Sequence, residues 1–478
     1  MNRAIVRSIN INEGLLTLAN FIRETGIQAA YWLGILGYAA YGFGGNPRIV
    51  MTVMLAVNVS QMVGNLIGGN IVDRIGPRRT VLYSSVAVIF MGLCSVFASD
   101  EVTTFVIFAG CFSIAITILN TGYTSFAPYL ERGKQGLRRV NSFLTTGTFI
   151  AAVVGPVVGA IATARFSIVS VFFFMAIVTT IGALIILKVE EKHSPNDDDS
   201  SDESDLSFGE TKHSRILQEE AEREAHKRGI TLTEPVRVTQ TSIAAGTALA
   251  GRTAPKRRVK EAKPFSEALE GWSIIRKSRS LRYYLMVFVA MIFGFGAFDA
   301  LEPVYFKQVL QVDISAFGWV NAVGGIGLIV GVALLAAFPL KWVNARLLIA
   351  LLAICGVGAV VYIGTLQLVW VAVGQLILGF AFGVFDPLMR TMVQADSPLE
   401  AVGRVLGTIN MIGLGILLIP LVAAPWLADL LGVQQVLILM GALPLIFAIL
   451  LYPSGKRLDK EATADGSRRQ IESIDVIE

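Results

Sequence analysis

The stretch GGNIVDRIGPRR, Gly68 to Arg79, lies between two long apolar runs. It sets an acid, Asp73, three arginines, Arg74, Arg78 and Arg79, and the turn formers Gly76 and Pro77 where a chain leaving a membrane must turn back. Charged side chains are costly at membrane depth, so Asp73 and Arg74 fix where the preceding helix ends. The stretch reads as a cytoplasmic hairpin loop between two membrane helices.

The composition around it agrees. The chain of 478 residues is 54% hydrophobic and only 16% charged, with a mean hydropathy of +0.63, which excludes an ordinary soluble domain. The net charge of +4 does not point to nucleic acid, because the cations gather in loops that alternate with apolar spans. The start, MNRAIVRSININEG, lacks the apolar core and small-residue cleavage site of a signal peptide, so none is expected. Cys94, Cys111 and Cys355 fall inside apolar runs without a CxxC, which implies neither a disulfide framework nor a metal site. His193, His213 and His226 lie together in a middle polar region, so a proton relay at membrane depth must use carboxylates. No P-loop, HExxH or hydrolase triad is present, which argues against an enzyme, against direct ATP driving and against a bound cofactor.

A membrane helix needs about 20 mostly apolar residues. Twelve such runs are expected, at 21–43, 48–72, 79–98, 103–127, 141–163, 167–188, 282–304, 314–338, 344–364, 367–389, 404–426 and 433–452. The fold class is therefore an all-α polytopic membrane protein of two six-helix bundles, at 21–188 and 282–452, with a cytoplasmic N-terminus over 1–20 and a tail over 453–478. Alternate loops hold Arg74, Arg78, Arg79, Arg132, Lys134, Arg138, Arg139, Lys341, Arg346, Arg390 and Arg404 against only Arg48, Arg165 and Lys307 on the other side. The positive-inside rule puts both termini in the cytoplasm of a cell membrane. The polar region 189–281 separates the halves; its acidic run SPNDDDSSDESD and basic cluster Lys256, Arg257, Arg258, Lys260 and Lys263 predict a mostly disordered linker. At 265–280, Phe265, Leu269, Trp272 and Ile275 recur at helical spacing beside Arg276, Lys277 and Arg279, which predicts an interfacial helix on the inner leaflet. GxxxG pairs in the second (Gly64, Gly68), fifth (Gly155, Gly159), eighth (Gly327, Gly331) and eleventh (Gly403, Gly407) spans allow close helix approach and suggest repeats of three. Gly379 and Gly383 in the tenth span depart from that rule.

Gly69, Ile71, Val72, Asp73, Arg74, Gly76 and Arg78 resemble, nearly position for position, the loop signature G-x-L-A-D-R-x-G-R-K of the major facilitator superfamily, departing at Pro77. GPVVGA, Gly155 to Ala160 with Pro156 between its glycines, is similar to the end of the motif of family antiporters, Ala151 and Ser142 standing where that motif has upstream glycines. The fourth span carries no charge, unlike the best-known drug/proton antiporters. GVFDPLMRTMVQADSPLEAVGRVLG resembles the bacterial branch of macrolide-efflux and siderophore-export proteins. The resemblance implies a secondary transporter whose bundles rock around a central cavity. It also implies a gate in which Asp73 caps the eleventh helix near Gly403 and Arg404, with Gly69, Arg74, Gly76, Arg78 and Arg79 around it. A carboxylate at a helix N-terminus contributes about 0.3 to 1 kcal/mol, a size suited to a reversible latch. The alternative is that the loop charges only set topology.

Polar residues inside the spans are the remaining candidates. Glu24, Gln28, Tyr31, Gly34 and Tyr38 share one helical face, which should look into a cavity. Glu24 is then either the proton-coupling carboxylate or a partner for Arg23. Asp299 and Glu302 stand three apart near the outer end of the seventh span and read as a coupling pair or a solvated helix end. Gln375, Gly379, Phe382, Asp386 and Arg390 align on the tenth span; Asp386 and Arg390 can pair and open with the cycle, or anchor the helix statically. Asn58, Gln61, Asn120 and Asn410 either face the pore or join helices by hydrogen bonds. The reading these residues favour is a monomeric, proton-coupled exporter of an amphipathic or hydrophobic small molecule, of the multidrug or macrolide-efflux type. The alternatives are uptake of a polar nutrient, export of a dedicated metabolite, and a membrane sensor or scaffold acting through the middle loop.

Overall fold

A computed structural model describes residues 11–98, 101–130, 134–189, 264–337, 344–398 and 401–475. The linker acids, His193, His213 and His226, the cluster Lys256 to Lys263, and the loop cations Arg132 and Lys341 lie outside the described residues.

Every described element is a helix. Ten are long and apolar enough to cross a membrane among the described residues, and Ser170–Ile186 is a shorter apolar one. The first span is the remaining one of the twelve runs expected from the sequence. It is already helical at Ile11, ahead of the expected 21, and is divided into Ile11–Ala29, a π-helical segment Ala30–Gly37, and Tyr38–Tyr41. Large apolar side chains point outward, Phe90 58%, Phe97 79% and Leu430 81% exposed, as lipid contact requires and water does not tolerate. The chain is a multi-pass membrane protein.

Local chemistry explains the ends. Asn46 caps the second helix, Pro47–Ile75, its side chain accepting from the Arg48 backbone N–H at 3.0 Å, with Pro47 at the first turn, where a missing N–H costs nothing. The same helix stops at Gly76, whose φ of 80° is open to glycine without strain. Pro77 then opens the third helix, Pro77–Ala98. The departure of Pro77 from the signature thus has a structural reason: the hairpin is a single glycine, and proline is preorganised to start the next helix. The second helix runs three residues past the expected limit of 72 for the same reason.

The seventh span is not the continuous run the sequence suggests. It comprises Arg279–Phe295, Phe298–Val304 and a π-helical segment Tyr305–Val309. Gly294 and Gly296 allow Pro444 and Pro420 of the last two spans to pack against its backbone there, and broken helices are tolerated at membrane depth where protein covers them. The last helix, Val433–Asp475, continues well beyond 452. The helix Pro264–Lys277 occupies the place expected for the interfacial helix, with Leu269 and Trp272 exposed and Ile275 buried.

Excluding residues 191–267, the chain is one compact unit. Within it the first six spans pack on one another, as do the last six, and the two bundles meet chiefly through the fifth span with the eighth and the second with the seventh and eleventh. The glycine pairs explain the closest approaches. Gly64 and Gly68 face Thr117 and Thr121 of the fourth span, Gly155 and Gly159 face the first, and Gly327 and Gly331 face backbone of the tenth. Gly403 and Gly407 have nothing within 4 Å of the position a Cβ would take. An aromatic cluster of Tyr38, Phe43, Phe105, Phe108, Phe112 and Phe172 fills the first bundle.

Candidate functional site

The bundles are joined at the end opposite the Gly68–Arg79 loop. There the Tyr41 hydroxyl donates to the Val312 carbonyl at 2.7 Å, and Lys307 Nζ donates to the carbonyls of Ala40 and Tyr41 at 3.2 and 3.0 Å. Gln308 Nε2 reaches the Gly45 carbonyl at 2.9 Å. Arg48 pairs with Asp429 at 2.5 Å and lies 4.2 Å over the Trp426 ring. Each contact runs from the first or second span to the seventh or eleventh or the loops beside them. Four of the hydrogen bonds end on backbone carbonyls, which binds the ends of helices rather than mobile side chains.

At the loop end no comparable set is formed among the described residues. Asp73, Arg74 and Arg79 are exposed, and Asp73 makes no hydrogen bond or ion pair among the described residues. Arg78 Nη2 donates to the Leu187 carbonyl at 2.6 Å, tying the loop to the sixth span of its own bundle. Arg404, expected beside Asp73, instead pairs with Glu270 of the helix Pro264–Lys277, and Gly271 of that helix lies against the backbone of Arg404. Gly69 has nothing within 4 Å of its Cβ position. Asp386 accepts from Arg390 Nε at 2.9 Å, both half exposed, so the i to i+4 pair expected on the tenth span is present and solvated.

Two polar centres lie between these ends. In the first bundle Arg23, 2% exposed, is held by four groups: Nη2 to Glu24 at 2.8 Å, Nη2 to Asn20 Oδ1 at 2.6 Å, Nη1 to Asn120 Oδ1, and its guanidinium 4.4 Å over the Tyr123 ring. Gln28 Nε2 donates to Glu24 at 3.1 Å. The structure thus brings together Glu24, Gln28 and Asn120, and Arg23 is the residue that assembles them. In the second bundle the Tyr362 hydroxyl donates to Glu302, which is 7% exposed. Asp299 is half-buried, on a helix that packs against the second span, and the Asn58 side chain of that span is beside it. Neither acid has an ion-pair partner among the described residues.

The π-helical segment explains where the face of the first span ends. Glu24 and Gln28 keep the α-helical register, but the wider turn over Ala30–Gly37 rotates the residues beyond it. Gly34 packs on Phe172, and Tyr38 stacks among Phe43 and Phe105. Tyr31 packs edge-on to Trp32, centroids 5.5 Å apart. Gln375 Nε2 reaches Asn321 Oδ1 of the eighth span at 3.4 Å, and Asn410 is exposed. Gln61 and Asn120, with Asn65, line a recess of about 370 Å³ between the second and fourth spans.

A sequence profile described as Major Facilitator Superfamily matches residues 16–420. Among solved structures, a mutant of peptide transporter POT superposes with a TM-score of 0.65 at 12% identity, covering 94% of this chain and 96% of that one. A POT family transporter in complex with a thioalcohol-conjugated peptide gives 0.60 at 12% identity, covering 93% and 96%. A mutant of nucleoside transporter NupG gives 0.62 at 10% identity, covering 92% and 99%. No curated protein matches the chain by sequence. At these identities the structural likeness is one of fold.

Proposed function

Because the chain belongs to the major facilitator superfamily, we propose that it is a secondary active transporter working by alternating access, which exports an amphipathic small molecule in exchange for protons. The observation that carries this reading is the asymmetry between the two ends. The far end is joined by Tyr41, Lys307, Gln308 and Arg48, while at the loop end Asp73 is exposed and the Gly403 and Gly407 face is uncovered. In this reading a joined end and an unjoined end are one state of a two-state cycle; in the other state Asp73 meets the start of the eleventh span. The open end then faces the cytoplasm, which the cation bias of the loops supports.

Asp299 and Glu302 are the coupling acids in this reading, since unpaired intramembrane carboxyls mark proton paths. Asp299 carries the link to movement in this reading, because the Asn58 side chain beside it belongs to the other bundle. Protonating the carboxylate removes the charge that the Asn58 amide faces, and a polar contact to a charge is roughly twice as strong as one to a neutral group, so in this reading proton load and bundle separation are coupled. Glu24, paired with Arg23, serves as a fixed part of the first bundle.

Export is supported by the antiporter-like GPVVGA stretch, whose Gly155 and Gly159 press the fifth span on the first. Uptake of a polar solute is the second reading, favoured by the amide-bearing face Asn58, Gln61 and Asn65 of the second span and by the peptide and nucleoside transporters that share the fold. Efflux of lipophilic dyes and macrolides from expressing cells, with and without a protonophore, separates the two. Protonophore-sensitive export that Asp73→Asn abolishes supports the exporter; protein-dependent accumulation of solute overturns it.

A further inference from the structure

The recess between the second and fourth spans has a lining with a fixed hydrogen-bonding polarity. Its walls are Gln61, Asn65, Ile116, Thr117, Asn120, Thr121 and Thr124; none is charged and one is apolar. A volume of about 370 Å³ falls at the small end of ligand sites, about 300 to 1,000 Å³, and suits a headgroup better than a whole drug-sized molecule. Asn65 and Thr124 are exposed; amides and hydroxyls at membrane depth face protein or water-filled cavities rather than lipid.

The three threonines have each spent their proton. Thr117 Oγ1 donates to the Ser113 carbonyl at 2.7 Å, Thr121 Oγ1 to Thr117 at 2.9 Å and Thr124 Oγ1 to Asn120 at 3.0 Å. A hydroxyl has one proton and two lone pairs, so what remains for a ligand is acceptor capacity alone. Asn120 is oriented the opposite way. Arginine only donates, so Asn120 must turn Oδ1 to Arg23, and its amide Nδ2, without a partner among the described residues, is left as a donor. Gln61 and Asn65 make no hydrogen bond among the described residues and can serve either way. A lining of three set acceptors, one set donor and two adaptable amides fits a neutral group rich in O–H or N–H donors. An anion would meet acceptors, and a cation would find no carboxylate.

We propose that this recess binds a neutral polyhydroxyl group, of the glycosyl type, carried on the amphipathic molecule of the transport reading, and it rests on that reading for the remainder of the molecule only. Ligand hydroxyls donate to Oγ1 of Thr117, Thr121 and Thr124, and a ligand oxygen accepts from Nδ2 of Asn120. Arg23 acts as a positioning residue, since it holds Asn120 in the donor orientation.

The test is binding to the purified full-length protein of two fluorescent probes with one apolar body: 4-methylumbelliferyl β-glucoside and 7-methoxy-4-methylcoumarin, which lacks the hydroxyls. The glucoside is expected to bind at least about tenfold tighter, the result of two or three net hydrogen bonds. Thr117→Val and Thr121→Val are each expected to cut that preference roughly two- to tenfold. Thr180→Val on the sixth span, whose hydroxyl donates to Ala176 in the same local geometry, is expected to leave it unchanged and controls for the loss of a back-bonded hydroxyl. Equal affinity for the two probes, no affinity for either, or a preference that survives both substitutions in folded protein overturns the assignment. Flux of the glucoside into proteoliposomes and inside-out vesicles is scored separately: selective binding without outward flux refutes the export reading and leaves the recess assigned.

Discussion

Glu24→Gln decides whether that carboxylate carries protons or holds the first bundle together. The Arg23 and Glu24 side chains are 2% and 7% exposed and 2.8 Å apart. Removing one member of a buried ion pair leaves the other charge uncompensated and costs about 3 to 5 kcal/mol. Arg23 keeps Asn20 and Asn120 as partners, so the cost belongs at the lower end, about 3 kcal/mol. Arg23→Met is expected to cost a similar amount, whereas Arg23→Met with Glu24→Gln removes both charges and should lose less than the sum of the two single changes, a coupling of at least about 2 kcal/mol. Unfolding of purified protein in mixed micelles of rising SDS content supplies these energies, and proton-driven flux on the same samples supplies function. Additive single changes, or a Glu24→Gln protein as stable as the parent with an altered pH dependence of flux, refute the structural role and return Glu24 to coupling.

Four further outcomes are expected. Asp299→Asn, which keeps the shape beside Asn58, should leave substrate exchange intact while flattening the pH dependence of net flux; an unchanged pH profile counts against Asp299 as a coupling acid. Arg48→Ala should raise the share of molecules open at the far end by up to about fivefold, since a half-exposed pair such as Arg48 and Asp429 contributes at most about 1 kcal/mol; alkylation of a cysteine placed at Thr52 measures it. Glu270→Ala should remove the ion pair with Arg404 and shift the population towards closure at the loop end, read as reduced labelling of a cysteine at Asn70. Deleting residues 195–260 should leave flux intact; its loss would favour a role for the middle region as a sensor or partner site.

The sequence carried the fold because lipid enforces it. Twelve apolar runs and one charged hairpin leave few arrangements, and the Gly76–Pro77 turn is written in two residues whose backbone preferences match their places. What it hid came from two sources. The π-helical segment Ala30–Gly37 cannot be read from apolar spacing, so extrapolating an α-helical face from Glu24 to Tyr38 carried the count past the point where the register turns. Arg23 was visible as a charge in the first span, but treating it only as a neighbour of Glu24 overlooked that a long guanidinium can gather Asn20, Asn120 and Tyr123 from other turns and spans. A cation within an apolar helix was itself the signal. Glu302 and Tyr362 are 60 positions apart, and no local pattern joins them.

The central claim is that the far end and the loop end open in alternation under proton control. Spin-label distances test it most directly, in protein whose Cys94, Cys111 and Cys355 are replaced, with one label pair at Thr52 and Leu430 and another at Asn70 and Gln394, all exposed positions, in lipid nanodiscs across a pH series. The account predicts that the first pair lengthens as the second shortens, with a midpoint that moves on Asp299→Asn. Distances that change together, or that ignore pH at both ends, would contradict it.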